Sequence, residues 1–241
     1  MGVIDTRSAV LDAALASFTE LGYEQTTIAR ILHRSGVSNG ALFHHFQTKE
    51  AIADALYVEA MASFQEGLWE LLRRRPRSLR AAVRGTISHQ LHWIEEHEDR
   101  ARFLYVRGHL EWDSPAGAEL VELNRSLASA YRDWMAPLVE AGEIRPMSML
   151  MLTAVVTGPA HAIARRWLAG HLSSPLHAYL AELADGACAA LTGKPVASRR
   201  RPRPCSRHGR IRLELLADDG SVIAGGEATA ELLPAPAGAA A

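Results

Sequence analysis

His89, His92 and Glu96 stand three and four residues apart. A helix through them would set two imidazoles and a carboxylate on one face, a spacing able to chelate a metal ion. A solvated histidine-rich face uses the same residues, and the sequence favours that reading. The run from Gly186 to Gly193 and Lys194 has the glycines and lysine of a phosphate loop. Their spacing is wrong, however, and Pro195 stands where such a loop needs Ser or Thr. The two cysteines, Cys188 and Cys205, supply neither a disulfide framework nor a thiolate metal site. With no matched nucleophile and base, no metal-ligand motif and no nucleotide loop, the expectation is a non-enzyme without cofactor or metal.

The elements that would position any functional residue read as helices. The chain has 241 residues, 48% of them hydrophobic, enough to bury a sizeable core in one large domain or in a small one joined to a larger. From Ser8, Leu11, Ala14, Leu15, Phe18 and Leu21 follow helical spacing, and Gly22 predicts an end near Leu21. Thr26 and Thr27 are N-cap residues for a short helix carrying Ile28, Ile31 and Leu32 as far as Gly36. Ser38 caps another, with Ala41, Leu42 and Phe46 facing inward, and Thr48 opens a long amphipathic run that stops at Arg73 to Pro76. Further helices are predicted over Leu79 to Glu96, Asp99 to Leu110, Ala116 to Glu140, Ser148 to Leu168 and Leu176 to Leu191. The longest apolar segment, Met147 to Ala164, is broken by polar residues and falls short of the roughly 20 clean residues of a bilayer helix, so it reads as a buried interface helix.

Beyond Lys194 the composition changes to an Arg/Pro-rich stretch, read as a solvated linker with phosphate contacts as the alternative. Ile211, Leu213 and Leu215 then alternate with Arg212 and Glu214, an Asp218-Asp219-Gly220-Ser221 turn signal follows, and Val222 to Leu232 completes a β-hairpin pattern. The expected fold class is therefore all-α with a C-terminal hairpin tail. Asp5, Arg7 and Asp12 interrupt the first residues where a secretory leader would be apolar, which makes a cytoplasmic protein the expectation.

Two short helices joined through a glycine turn have the geometry of a helix-turn-helix. Ile31, Leu32, Gly36, Val37 and Leu42 are spaced to close its small core, although two ordinary bundle helices share this spacing. A net charge of −1 provides no overall positive field, so any nucleic-acid binding needs a local, shaped surface.

The segments Gly22-Tyr23-Glu24-Gln25-Thr26-Thr27-Ile28 and Ser35 to Glu50 resemble the TetR family of repressors, with a match running from about Arg7 to Leu56. The stretch Thr157-Gly158-Pro159-Ala160-His161 to Gly170 is similar to the kinked penultimate helix of many members. The resemblance implies a helix-turn-helix DNA-binding domain over residues 1–50, a helical ligand-binding and dimerisation domain over 51–194, and a tail over 195–241. It also implies a homodimer held by the last two helices, a near-palindromic double-stranded DNA operator, and a small, partly apolar effector that releases a repressor from DNA.

Carried over by residue, the recognition helix is Ser38 to His45, with Ser38, Asn39, Gly40, Ala41 and His44 facing the groove. Asn can bond adenine bidentately, and an Ala methyl can touch a thymine methyl. Phe43 stands where the family has a tyrosine whose hydroxyl reaches a phosphate, so that contact is expected to be missing. Thr27, His45 and Lys49 are the remaining phosphate candidates. Leu32 replaces the small residue usual at the crossing of the two helices, which predicts a wider crossing. Trp69, Trp93, Phe103, Trp112 and Trp134, with Arg107 and His161, are the candidate ligand-binding residues, ordinary core packing being the alternative for each aromatic. The helix from Thr48 to Leu72 is the expected lever between domains. Leu32, Phe43 and the neutral charge keep open the alternative reading, a helical sensor or adaptor acting on a protein partner without specific DNA binding.

Overall fold

A computed structural model describes residues 5–107, 114–193, 208–216 and 222–231, with side chains described for 5–106 and 114–193. Six helices begin at a Ser or Thr whose hydroxyl accepts the backbone N–H three residues on, satisfying one of the donors every helix start leaves free. The six caps are Thr27, Ser38, Thr48, Ser78, Ser114 and Ser148. They open α2 (Ile28–Ser35), α3 (Asn39–His45), α4 (Lys49–Arg73), α5 (Leu79–Glu96), α7 (Pro115–Glu140) and α8 (Met149–Leu168). The others are α1 (Thr6–Gln25), α6 (Glu98–Arg107) and α9 (Leu180–Thr192). The expected all-α class, with a helix-turn-helix at the N-terminus and a larger helical bundle, is the observed one.

Gly22 adopts φ 79°, so the regular part of α1 stops where glycine was expected to stop it, although hydrogen bonding carries the element on to Gln25. Thr26 is buried rather than capping α2: its hydroxyl donates to the carbonyls of Ser17 and Gly22 at 3.0 and 2.8 Å and ties α1 to the start of α2. Gly36 takes φ 68° at the end of α2, a left-handed turn that a side chain would strain. The helix expected from Leu176 begins instead as a 3-10 turn, Leu176–Tyr179, and becomes α-helical at Leu180. Its first N–H groups are held by Glu95 of α5, whose carboxylate accepts from Leu176 at 2.5 Å.

The chain divides into two compact units, Met1–Lys194 and Pro195–Ala241. In the second, β1 (His208–Leu216) and β2 (Val222–Glu231) pair antiparallel, His208 opposite Glu231, with an irregularity between Leu215 and Leu216. The expected turn at residues 218–221 lies outside the described residues.

The first unit holds two main apolar cores. One is built by α1, α2 and α3 around Leu11, Phe18, Ile31, Leu42 and Phe46, and it is completed by Ile52 and Leu56 of α4 and Phe103 of α6. The other lies among α5, α8 and α9, around Ile87, Leu91, Val156, Ala160 and Leu191. Helix α4 thus belongs to both halves, and α6 reaches into the first. Pro159 sits inside α8, where its missing N–H leaves the carbonyl one turn earlier without a helical partner.

Candidate nucleic-acid interface and ligand cavity

Helix α3 is short, and one fully buried residue anchors it. Leu42 is fully buried beneath it, while Ser38, Asn39, Gly40, His44 and His45 are exposed. A methyl group added at Gly40 would meet nothing within 4 Å, so that face is open to an approaching surface. Ala41 and Phe43 are half-buried, and Phe43 packs against the N-terminal core. Leu32 is likewise half-buried against the same core.

Thr27 is exposed, with its hydroxyl spent on the α2 cap. Lys49 has a structural role in the free protein: its ammonium donates to the carbonyls of Tyr23 and Glu24 at 2.8 and 3.4 Å and stands 4.2 Å from the centre of the Tyr23 ring. The carbonyl-rich end of α1 attracts a cation there. On α2, Arg34 and Arg30 lie 2.7 and 3.6 Å from Glu20, and Arg34 holds the Glu20 carboxyl below its ordinary range. Between Asp5 and Leu56 four Lys and Arg face six Asp and Glu, so the exposed surface of α3 is set by shape and hydrogen-bonding groups rather than by a positive field.

A cavity of about 670 Å³ opens within the helical bundle, lined mainly from α4, α5, α7 and α8, with Leu104 and Tyr105 of α6 reaching it. Trp93, Trp134 and His161 line it, as three of the aromatic and polar candidates. Trp69 does not: it follows the inward Leu68 by one residue, about 100° around the helix, and is half-buried elsewhere. Phe103 also belongs elsewhere, stacked on Phe18 at 5.6 Å in the N-terminal core. Trp112 and the side chain of Arg107 lie outside the described residues.

Tyr105 and His161 meet across the cavity wall, hydroxyl to Nδ1, at 2.6 Å. Burial pushes the Tyr105 hydroxyl up to about 12, so it keeps its proton, and the imidazole tautomer decides which of the two groups donates. Burial, and after it the neighbouring Arg165, hold His161 below the ordinary imidazole range. A histidine whose folded-state pKa is depressed adds stability above its ordinary value of 6.5 that is lost as pH falls through the lowered value. Urea midpoints should therefore fall as the pH is taken from about 7.5 to about 5, and His161→Gln should flatten that fall; an unchanged pH dependence in the variant would show that another group governs it.

The triplet His89, His92 and Glu96 is dispersed. His89 is half-buried, its Nε2 is 2.7 Å from the Phe64 carbonyl and its ring stacks on Phe64 at 5.2 Å, a close approach that side-chain-free Gly67 permits. The solvated-face reading therefore fails for His89, whereas His92 and Glu96 are exposed. Among the described residues no group of three His, Cys, Asp or Glu is arranged to hold a metal ion.

Three N-terminal helices, two of them short and the third facing outward, joined to a larger helical bundle that holds a cavity, define a helix-turn-helix protein with a separate chamber. Residues 10–56 match the family model described as bacterial regulatory proteins, tetR family. The likeness to that family lies in the N-terminal helix-turn-helix domain. It is 40% identical over 62 residues to the A-factor receptor protein of Streptomyces griseus, covering 26% of this chain and 22% of that one. It is 39% identical over 72 residues to a helix-turn-helix transcriptional repressor of Mycobacterium tuberculosis, covering 28% of this chain and 38% of that one. These matches thus span well under two thirds of the relatives' own lengths. The fold as a whole is similar to that of the transcriptional regulator FadR of Bacillus subtilis, solved in complex with stearoyl-CoA, with a TM-score of 0.60 at 17% identity over 76% of this chain and 98% of that one.

Proposed function

We propose that this chain is a ligand-responsive transcriptional regulator, a repressor that binds a near-palindromic operator as a homodimer and is released by a small molecule in the bundle cavity. The observation that carries the reading is the outward face of α3, with Asn39, Gly40 and His44 exposed above a fully buried Leu42, on a chain whose bundle holds a largely apolar cavity. Two such helices about 34 Å apart would enter successive major grooves. Apolar α8 residues left exposed on one chain, Leu150 and Met151, support pairing through this helix.

Release follows from population shift: a ligand favours whichever spacing of the two recognition helices leaves its cavity best filled, and the operator favours another. Two elements join chamber and reading head. Helix α4 contributes Ile52 and Leu56 to the N-terminal core and Phe64 and Leu68 to the cavity wall. Helix α6 sets Phe103 in that core and Tyr105, two residues later, on the cavity. No helix among the described residues is long and apolar enough to cross a membrane, which fits a regulator acting on DNA in the cytoplasm.

A gel-shift titration on the DNA flanking the protein's own gene tests the reading. Salt-sensitive, sequence-specific binding is expected, and Asn39→Ala should weaken it by about 1–3 kcal/mol, roughly 5- to 100-fold. Absence of any specific shift at low salt would favour an adaptor that does not read DNA.

A further inference from the structure

The cavity contains a chemical demand that its own walls do not meet. Gln90 of α5 is fully buried and Gln65 of α4 is 3% exposed; both stand in the cavity wall, and the Oε1 of each is shut off from solvent without a hydrogen-bond partner, so a ligand reaches either oxygen by drawing its amide toward the cavity. The orientation of Gln90 is fixed by chemistry, because its amide nitrogen faces the Thr157 carbonyl at 3.5 Å and a carbonyl can only accept. The oxygen must then be the group left over. Gln65 donates its amide nitrogen to Asn124 Oδ1 at 2.8 Å, which turns its oxygen to the unpartnered side.

A buried acceptor without a donor costs about 1–3 kcal/mol, and two in the wall of one cavity are a standing penalty on the free protein. That penalty is relieved by a molecule that brings donors. Of the other polar groups in the wall, Thr86 pairs with Tyr131 at 3.2 Å, and Tyr105 is bonded to His161. Amide oxygens repel a carboxylate or phosphate, and the cationic side chain in the lining, Arg165, is exposed, so no buried cation among the described lining residues balances an anionic headgroup. Most of the remaining wall is apolar, with Leu68, Val83, Trp93 and Leu127 among its residues.

We propose that the cavity takes a neutral, largely apolar molecule carrying at least two hydroxyl or amide N–H donors, one received by Gln90 Oε1 and the other by Gln65 Oε1. The assignment rests on reading the cavity as the effector site. It differs from what an acyl thioester of a large polyanion would need, since nothing charged is sought at either glutamine.

Isothermal titration of the full chain with straight-chain alkane-α,ω-diols, from hexane-1,6-diol to dodecane-1,12-diol, tests it without knowledge of the natural ligand. Each diol is compared with its own dimethyl ether, which keeps the chain and loses both O–H donors, and with the monocarboxylate of equal length. At least one diol should bind about tenfold or more tighter than its ether and its carboxylate. Gln90→Leu should abolish that preference while raising the melting temperature of the unliganded protein, because it removes an unpaired acceptor; Gln90→Met serves the same end if the branched side chain does not fit. Equal binding of diol and ether, tightest binding of the carboxylate, no binding of any diol, or a lowered melting temperature in both variants would overturn the proposal. Gel shifts of the unliganded protein separate the two readings: diol preference without DNA binding sinks the regulator alone, and DNA binding without diol preference sinks the ligand assignment alone.

Discussion

Leu42→Ala is expected to abolish operator binding while leaving the cavity in place. Leu42 is 0% exposed and is the buried residue of α3, a helix of seven residues. A helix of that length has no stability of its own in water, so it is held in place by what it buries. Truncating a buried leucine to alanine costs about 2–5 kcal/mol, from lost transfer energy and the cavity left behind. That is a large part of the 5–15 kcal/mol that keeps a typical domain folded, and it falls on the small core shared with Ile31 and Phe46. Urea denaturation should show an early transition for the N-terminal helices, and gel shifts should show loss of specific binding. Fluorescence of Trp93 and Trp134, which lie at the cavity, should still report a native bundle. The conservative Leu42→Met should restore most of the binding. Retention of operator affinity within about twofold in Leu42→Ala would mean that α3 is positioned by something other than its buried side chain.

Local signals in the sequence located the helix starts because caps are local chemistry. Thr27, Ser38 and Thr48 each need only the backbone N–H three residues ahead, and Gly36 needs only its freedom to take positive φ. Where a distant group decides the outcome, the residues alone were insufficient. The 3-10 start at Leu176 depends on a carboxylate contributed by Glu95 of another helix. Lys49 reads as a phosphate ligand by type and position, yet the carbonyl end of α1 claims its ammonium in the free protein. The resemblance made Phe103 a candidate for the ligand cavity, whereas its ring enters the N-terminal core, and the domain boundary it implied at residue 50 leaves out Ile52 and Leu56, which help to close that core. One signal for the cavity was present and easily overlooked: Gln90 interrupts the buried series Ile87, Leu91 and Ile94, and a polar side chain on an apolar face must find a partner or await one.

Phe103→Ala is the substitution expected to act furthest from its own position. The ring is 7% exposed and stacks on Phe18, so its removal should cost about 3–5 kcal/mol in the N-terminal core. Because α6 packs on α1 and α4, the loss also frees the reading head from the helix whose Tyr105 touches the cavity. Operator affinity should therefore fall although Phe103 is not part of the exposed face of α3. Phe103→Leu, which keeps most of the apolar volume, is the more informative variant: it should stay folded in urea titrations while showing weakened or ligand-insensitive DNA binding. Tyr105→Phe provides the contrast, since it deletes only the hydroxyl that bonds His161 and leaves the N-terminal core untouched. It should alter the response to a cavity ligand and preserve binding of the unliganded protein to DNA. If Phe103→Leu and Tyr105→Phe behaved alike in gel shifts with and without a bound diol, α6 would not be the element through which chamber and reading head are joined, and α4 alone would have to carry the coupling.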